Sequence, residues 1–103
     1  MSETVTINLP LEKIRAYCET QPIRRLSVFG SAARGELTDE SDIDLLVEYM
    51  PDARISYFDM GRHVTDLIEI VGRRVDLCTP KSLSRYFRQD VIDSALPIYE
   101  KEP

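Results

Sequence analysis

The sequence predicts a single α/β (α+β) domain: a small mixed sheet flanked by helices in the order α-β-α-β-α-β-α. Three observations lead there. The chain of 103 residues has the size of one compact domain, so residues 1–103 are expected to share one core. Its composition, 43% hydrophobic and 30% charged, is that of a globular protein rather than a disordered one. Apolar stripes of helical spacing alternate along it with short apolar runs of strand type.

Each element has its own signal. Leu11, Ile14, Tyr17 and Cys18 recur at helical spacing after Pro10 and predict a first helix over residues 10–20, ended by Gln21-Pro22. Residues 26–29 are an apolar strand run stopped by Gly30. Residues 31–41 are small and polar, a short helical turn followed by a loop. A second strand is expected over 43–49, closed by Pro51. Tyr57, Met60, Val64, Leu67, Ile68 and Val71 lie on one stripe and predict a helix over 55–71, with Gly72 as its C-terminal cap. Residues 74–78 form a third strand. Leu83, Phe87 and Val91, at i, i+4 and i+8, predict a last helix over 80–93. There is no internal repeat, low-complexity tract or linker.

Charge and composition exclude several function classes. Thirteen basic against eighteen acidic side chains give a formal charge of −5, so the domain lacks the footprint of a nucleic-acid binder. A nucleotide remains admissible, because a divalent cation reverses the local sign. No run approaches the ~20 apolar residues that span a bilayer, and residues 1–10 carry no basic cluster followed by an apolar stretch. No membrane association is expected, and a cytoplasmic location is. Cys18 and Cys78 form no Cys-x-x-Cys pair and no cluster with His63, which leaves a zinc site or disulfide framework unsupported. Cys18 is expected in the core. Cys78 shares a strand face with Asp76, but is expected to be a small buried thiol. His63, four residues after Asp59, is expected to make an exposed helical pair with it. Lys81, Arg85 and Arg88, at i, i+4 and i+7, predict a solvated helix face.

The chemistry lies in Leu26 to Val47, LSVFGSAARGELTDESDIDLLV. Asp42 and Asp44 alternate with Ile43, Leu45 and Val47, so a strand places both carboxylates on one face and the aliphatics on the other. Paired carboxylates repel and shift their pKa values unless a cation joins them, and hard oxygen donors suit Mg²⁺ or Mn²⁺. Gly30-Ser31, directly after a strand, offers backbone N–H groups at a helix N-terminus, where phosphate binds well. Asp76, alone between Val75 and Leu77, is turned by the same alternation away from its buried neighbours. If its strand lies beside the second, Asp42, Asp44 and Asp76 form a triad able to hold two divalent ions. Phosphate donors beside such a triad are what metal-assisted nucleotidyl transfer needs.

These residues carry a resemblance. Gly30-Ser31, ten residues, then Asp42-x-Asp44, with Ala33-Arg34-Gly35-Glu36 and Ser41-Asp42-Ile43-Asp44-Leu45-Leu46-Val47, is similar to the polymerase-beta-type nucleotidyltransferase superfamily. Within it the chain resembles the minimal nucleotidyltransferase (MNT) domain proteins from Leu11 to Tyr99, and Asp76 in Arg74-Val75-Asp76-Leu77 matches their third aspartate. The resemblance implies a nucleotidyltransferase fold and an antitoxin of a type VII-like pair that silences a HEPN-domain ribonuclease toxin. It implies transfer of AMP from ATP to a tyrosine of that toxin, with release of pyrophosphate. Asp42 and Asp44 would bind two Mg²⁺ (or Mn²⁺) ions. Asp76 would bind one of them and help activate the incoming hydroxyl. Gly30 and Ser31 would hold the β- and γ-phosphates, and Arg34 would steady the triphosphate or the partner.

Other readings meet single residues that oppose them. Gly30 and Gly35 resemble a P-loop, but Glu36 stands where a Lys must meet the phosphates. The acidic run of residues 39–44 resembles a calcium loop, but Ile43 and Asp44 stand where it needs an oxygen ligand and a glycine. A non-catalytic antitoxin that acts by covering its toxin keeps the same fold. An enzyme acting on a small molecule such as an aminoglycoside lacks an acceptor domain here, and one acting on an RNA end meets the acidic charge. With 103 residues, another polypeptide or a second copy is expected to complete the acceptor site, as a hetero-complex or homo-oligomer.

Overall fold

The computed structural model describes residues 9–35 and 42–101. Strands β1 (Ile23–Phe29), β2 (Ile43–Tyr49), β3 (Val75–Cys78) and β4 (Leu96–Glu100) form one mixed sheet in the order β3-β2-β1-β4. β1 pairs antiparallel with both β2 and β4, and β2 pairs parallel with β3. A parallel neighbour needs a long crossover, supplied by helix α2 (Tyr57–Val71). Helices α1 (Leu11–Glu19) and α3 (Arg88–Ser94) and a 3-10 turn at Pro80–Ser82 complete the described elements. The mixed sheet with flanking helices is as the sequence predicts, with β2 at the expected residues.

Strand alternation gives the sheet two unlike faces. Leu26 and Val28 of β1 stand opposite Val47 and Leu45 of β2. With Ile43 they meet Ile14 and Cys18 of α1 and Leu67 of α2 in the buried core. Each such aliphatic contributes roughly 1.5–3 kcal/mol by leaving water. α1 rests on β4 and α2, and α2 on β3. The other face carries Asp44, Leu46 and Ser27, and the Pro80–Ser82 turn contacts β2. Cys18 is buried in the core as expected, and burial pushes its thiol pKa up to about 12. Among the described residues no helix is long and apolar enough to cross a membrane.

α2 shows how local chemistry sets an element. Ser56 Oγ accepts from the Asp59 N–H at 3.1 Å, and Asp59 Oδ2 accepts from the Ser56 N–H at 2.9 Å, a reciprocal capping box. At the far end Gly72 turns left-handed, φ 82°, and its N–H reaches Ile68 O at 2.8 Å.

Several expectations need correction. His63 is not an exposed partner of Asp59: it is wholly buried, Nδ1 against Tyr49 Oη at 2.8 Å and Nε2 against Gln21 Oε1 at 3.1 Å. Asp59 serves the cap instead. The single last helix is broken. Thr79 and Ser82 cap a separate 3-10 turn, Leu83 is extended (ψ 146°), and the short α3 begins only at Arg88. Lys81, Arg85 and Arg88 therefore share no helix face, and Arg88 Nη2 donates to Leu83 O at 3.0 Å. β4 is a strand the sequence reading lacks, and β1 begins three residues before the expected start, at Ile23. Residues 31–35 are turns rather than helix, and the rest of the segment expected over 31–41 lies outside the described residues.

Candidate active site

The antiparallel register of β1 and β2 sets Phe29 opposite Asp44, so the Gly30-Ser31 turn leaves β1 beside that carboxylate. Gly30 has φ +68°, and a Cβ there would collide with Asp44 Oδ2 and lie 3.3 Å from Asp44 Cγ. Only glycine satisfies both the dihedral and the close approach. The chain then closes a tight turn, the Arg34 N–H donating to Gly30 O at 3.2 Å and the Gly35 N–H to Ala32 O at 3.3 Å. Ala32 is buried beneath the turn and Ser31 is half-exposed. The expected helix N-terminus at Ser31 is thus a single turn, whose last amides are spent on its own carbonyls.

The parallel register of β2 and β3 sets Asp44 beside Asp76. Period 2 puts both on the face opposite the core, Asp76 exposed and Asp44 partly buried. Burial raises the Asp44 carboxyl above its ordinary pKa. The negative charges of Asp76 and then Asp42 add to the rise, and Arg34 opposes it. Asp42 precedes β2 and is exposed, its Oδ1 paired with Arg74 Nε at 3.1 Å, while the Ile43 N–H donates to Arg74 O at 2.9 Å. The structure therefore brings Asp44, Asp76 and Gly30 together directly and leaves Asp42 at the rim, held by Arg74. Among the described residues no three acidic, histidine or cysteine side chains converge closely enough to cage a metal ion unaided.

Two neighbours go beyond the expected set. Cys78 is half-exposed rather than a buried thiol, with Sγ 3.9 Å from Asp76 Oδ1. Partial burial raises its pKa, and the charges of Asp76 and Asp44 add to that. The i, i+2 spacing from Asp76 is the signal that places it here. Arg74, the residue before β3, has no such signal, since a solvent-facing Arg and an Asp partner look alike in sequence.

The donor set fits a small hard cation. Two adjacent carboxylates with a third at the rim repel one another, which adds to the rise at Asp44, a cost that a divalent ion removes. The Asp42–Arg74 pair joins exposed groups and is of the weak surface kind, so it does not withhold Asp42.

A family described as polymerase beta nucleotidyltransferases matches residues 12–103. A protein of Methanocaldococcus jannaschii, provisionally named a protein adenylyltransferase, is 36% identical over 74 residues, covering 72% of this chain and 74% of its own. A solved structure provisionally named a minimal nucleotidyltransferase is 33% identical with a TM-score of 0.69, covering 87% of this chain and 97% of that one. A chain of a toxin–antitoxin structure solved with AMP-PNP shares the fold, at a TM-score of 0.74 and 21% identity over 91% of this chain and 76% of that one.

Proposed function

Since the chain belongs to the polymerase beta nucleotidyltransferase family, we propose that it is an antitoxin that moves AMP from ATP to a tyrosine hydroxyl of a partner HEPN ribonuclease toxin. The observation that carries this reading is the side-by-side register of Asp44 and Asp76, with the Gly30 backbone against Asp44. The relative named for protein adenylyl transfer and the fold shared with a toxin–antitoxin chain support a protein acceptor.

Each residue then has a task. Gly30 lets the backbone approach the β- and γ-phosphates, and the Ser31 hydroxyl donates to one of their oxygens. Arg34, whose charge reaches Asp44, steadies the triphosphate. Asp44 and Asp76, with Asp42, would hold Mg²⁺, or Mn²⁺ in its place. When bound, such ions neutralise the phosphate oxygens and make the attacking hydroxyl more acidic. Pyrophosphate sits on the β1 side of Asp44, so in-line attack comes from the β3 side, where Asp76 is exposed. The tyrosine oxygen bonds the α-phosphorus while the bond from that phosphorus to the bridging oxygen breaks, and its electron pair departs with pyrophosphate. Asp76 is the carboxylate placed to receive the hydroxyl proton.

The test is protection of cells expressing the toxin by the wild-type chain or by Asp42→Ala/Asp44→Ala, with toxin co-purification as a control for binding. Catalytic silencing expects the variant to co-purify yet fail to protect. Equal protection by both would make the chain an antitoxin that works by covering its toxin.

A further inference from the structure

We infer that Tyr86, with the Arg85 guanidinium stacked on it, is the platform on which the adenine base of the nucleotide rests. The inference builds on the nucleotidyl-transfer reading and adds the base subsite. The segment after β3 begins at the site itself. Cys78 Sγ lies 3.9 Å from Asp76 Oδ1, the Ser82 hydroxyl donates to Thr79 O at 2.9 Å, and the Pro80–Ser82 turn contacts β2. Leu83, directly after this turn, and Leu46, on the carboxylate face of β2, are both buried yet stand outside the core cluster, which sets the turn on the carboxylate face rather than the core face. Leu83 is buried beneath it, and Arg88 Nη2 fixes its carbonyl at 3.0 Å.

Anchored in this way, the chain carries Tyr86 outward. Its ring is 83% exposed, its N–H reaches Ser84 Oγ at 3.3 Å, and the Arg85 guanidinium carbon stands 5.4 Å from the ring centroid. An aromatic ring and a planar cation stacked together present what a nucleobase stacks upon. The other strongly exposed aromatics, Tyr57 at 94% and Phe58 at 89%, begin α2, which packs on the core face of the sheet through Leu67. Tyr86 thus follows a turn on the carboxylate face, whereas Tyr57 and Phe58 lead a helix on the core face.

The experiment measures binding of ATP and of inorganic tripolyphosphate, each with Mg²⁺, to the full chain, to Tyr86→Ala and to Tyr86→Trp. Thermal melts confirm that the variants fold, as an exposed side chain allows. Tyr86→Ala is expected to weaken ATP by roughly ten- to a hundredfold and leave tripolyphosphate unchanged, with Tyr86→Trp restoring ATP affinity. Equal ATP affinity in wild type and Tyr86→Ala would overturn the base platform and leave the transfer reading standing. A wild-type chain that binds neither ligand would overturn both.

Discussion

At Gly30 two demands coincide on one residue: a positive φ and a backbone pressed against the Asp44 carboxylate. Gly30→Ala is therefore expected to cost about 1–3 kcal/mol of stability and to displace Asp44, lowering transfer by at least roughly a hundredfold. Denaturant titration and a transfer assay on the same preparation read the two effects. His63 makes a different demand. Burial lowers its pKa, with Arg62 adding to the shift and Asp59 and Asp66 opposing it. A histidine whose folded pKa lies below its unfolded value of about 6.5 resists protonation in the native state. Its stability contribution is full above pH 6.5 and is lost as pH falls through 6.5 toward the folded value. Wild-type unfolding free energy is expected to decline over that window, and His63→Asn to remove the decline. Both residues show what a sequence reveals at this scale. Gly30, Asp44 and Asp76 are legible as neighbours because a motif and a period of two set their positions. His63 is not, because helical spacing fixes an angle and not a depth, and its partners Tyr49 and Gln21 come from two other segments.

At the scale of elements, the site exists because β2 has an antiparallel neighbour on one side and a parallel one on the other. Asp44→Asn relieves both the burial of a charge and the repulsion from Asp76. Without added metal its melting temperature is expected to equal or exceed that of wild type. With Mg²⁺ and ATP at about a hundred times their dissociation constant, wild type should gain roughly 2.7 kcal/mol and the variant almost none. A ligand-induced shift of equal size in both, measured by calorimetry, would count against Asp44 as a ligand. α2 depends on its ends: Ser56→Ala is expected to cost about 1 kcal/mol, read from chemical denaturation. Such local signals made α1, β2 and α2 legible. β4 was not, since its sequence Leu96–Glu100 contains Pro97 and its pairing is with β1, some seventy residues earlier. The last helix misled because Leu83, Phe87 and Val91 have helical spacing, while Ser82 turns its hydroxyl back to Thr79 and ends the turn there.

For the molecule as a whole, one small sheet carries the Asp44–Asp76 pair on one face and a core on the other. Nothing among the described elements forms a second lobe around an acceptor, so the tyrosine is expected on another chain. The most direct measurement is transfer of α-labelled ATP, with Mg²⁺, to the purified partner toxin, with intact mass as readout and the Asp44→Asn/Asp76→Asn variant alongside. Wild type is expected to add the mass of AMP to the toxin, and the variant to add none. An unmodified toxin that both proteins still inhibit would contradict it.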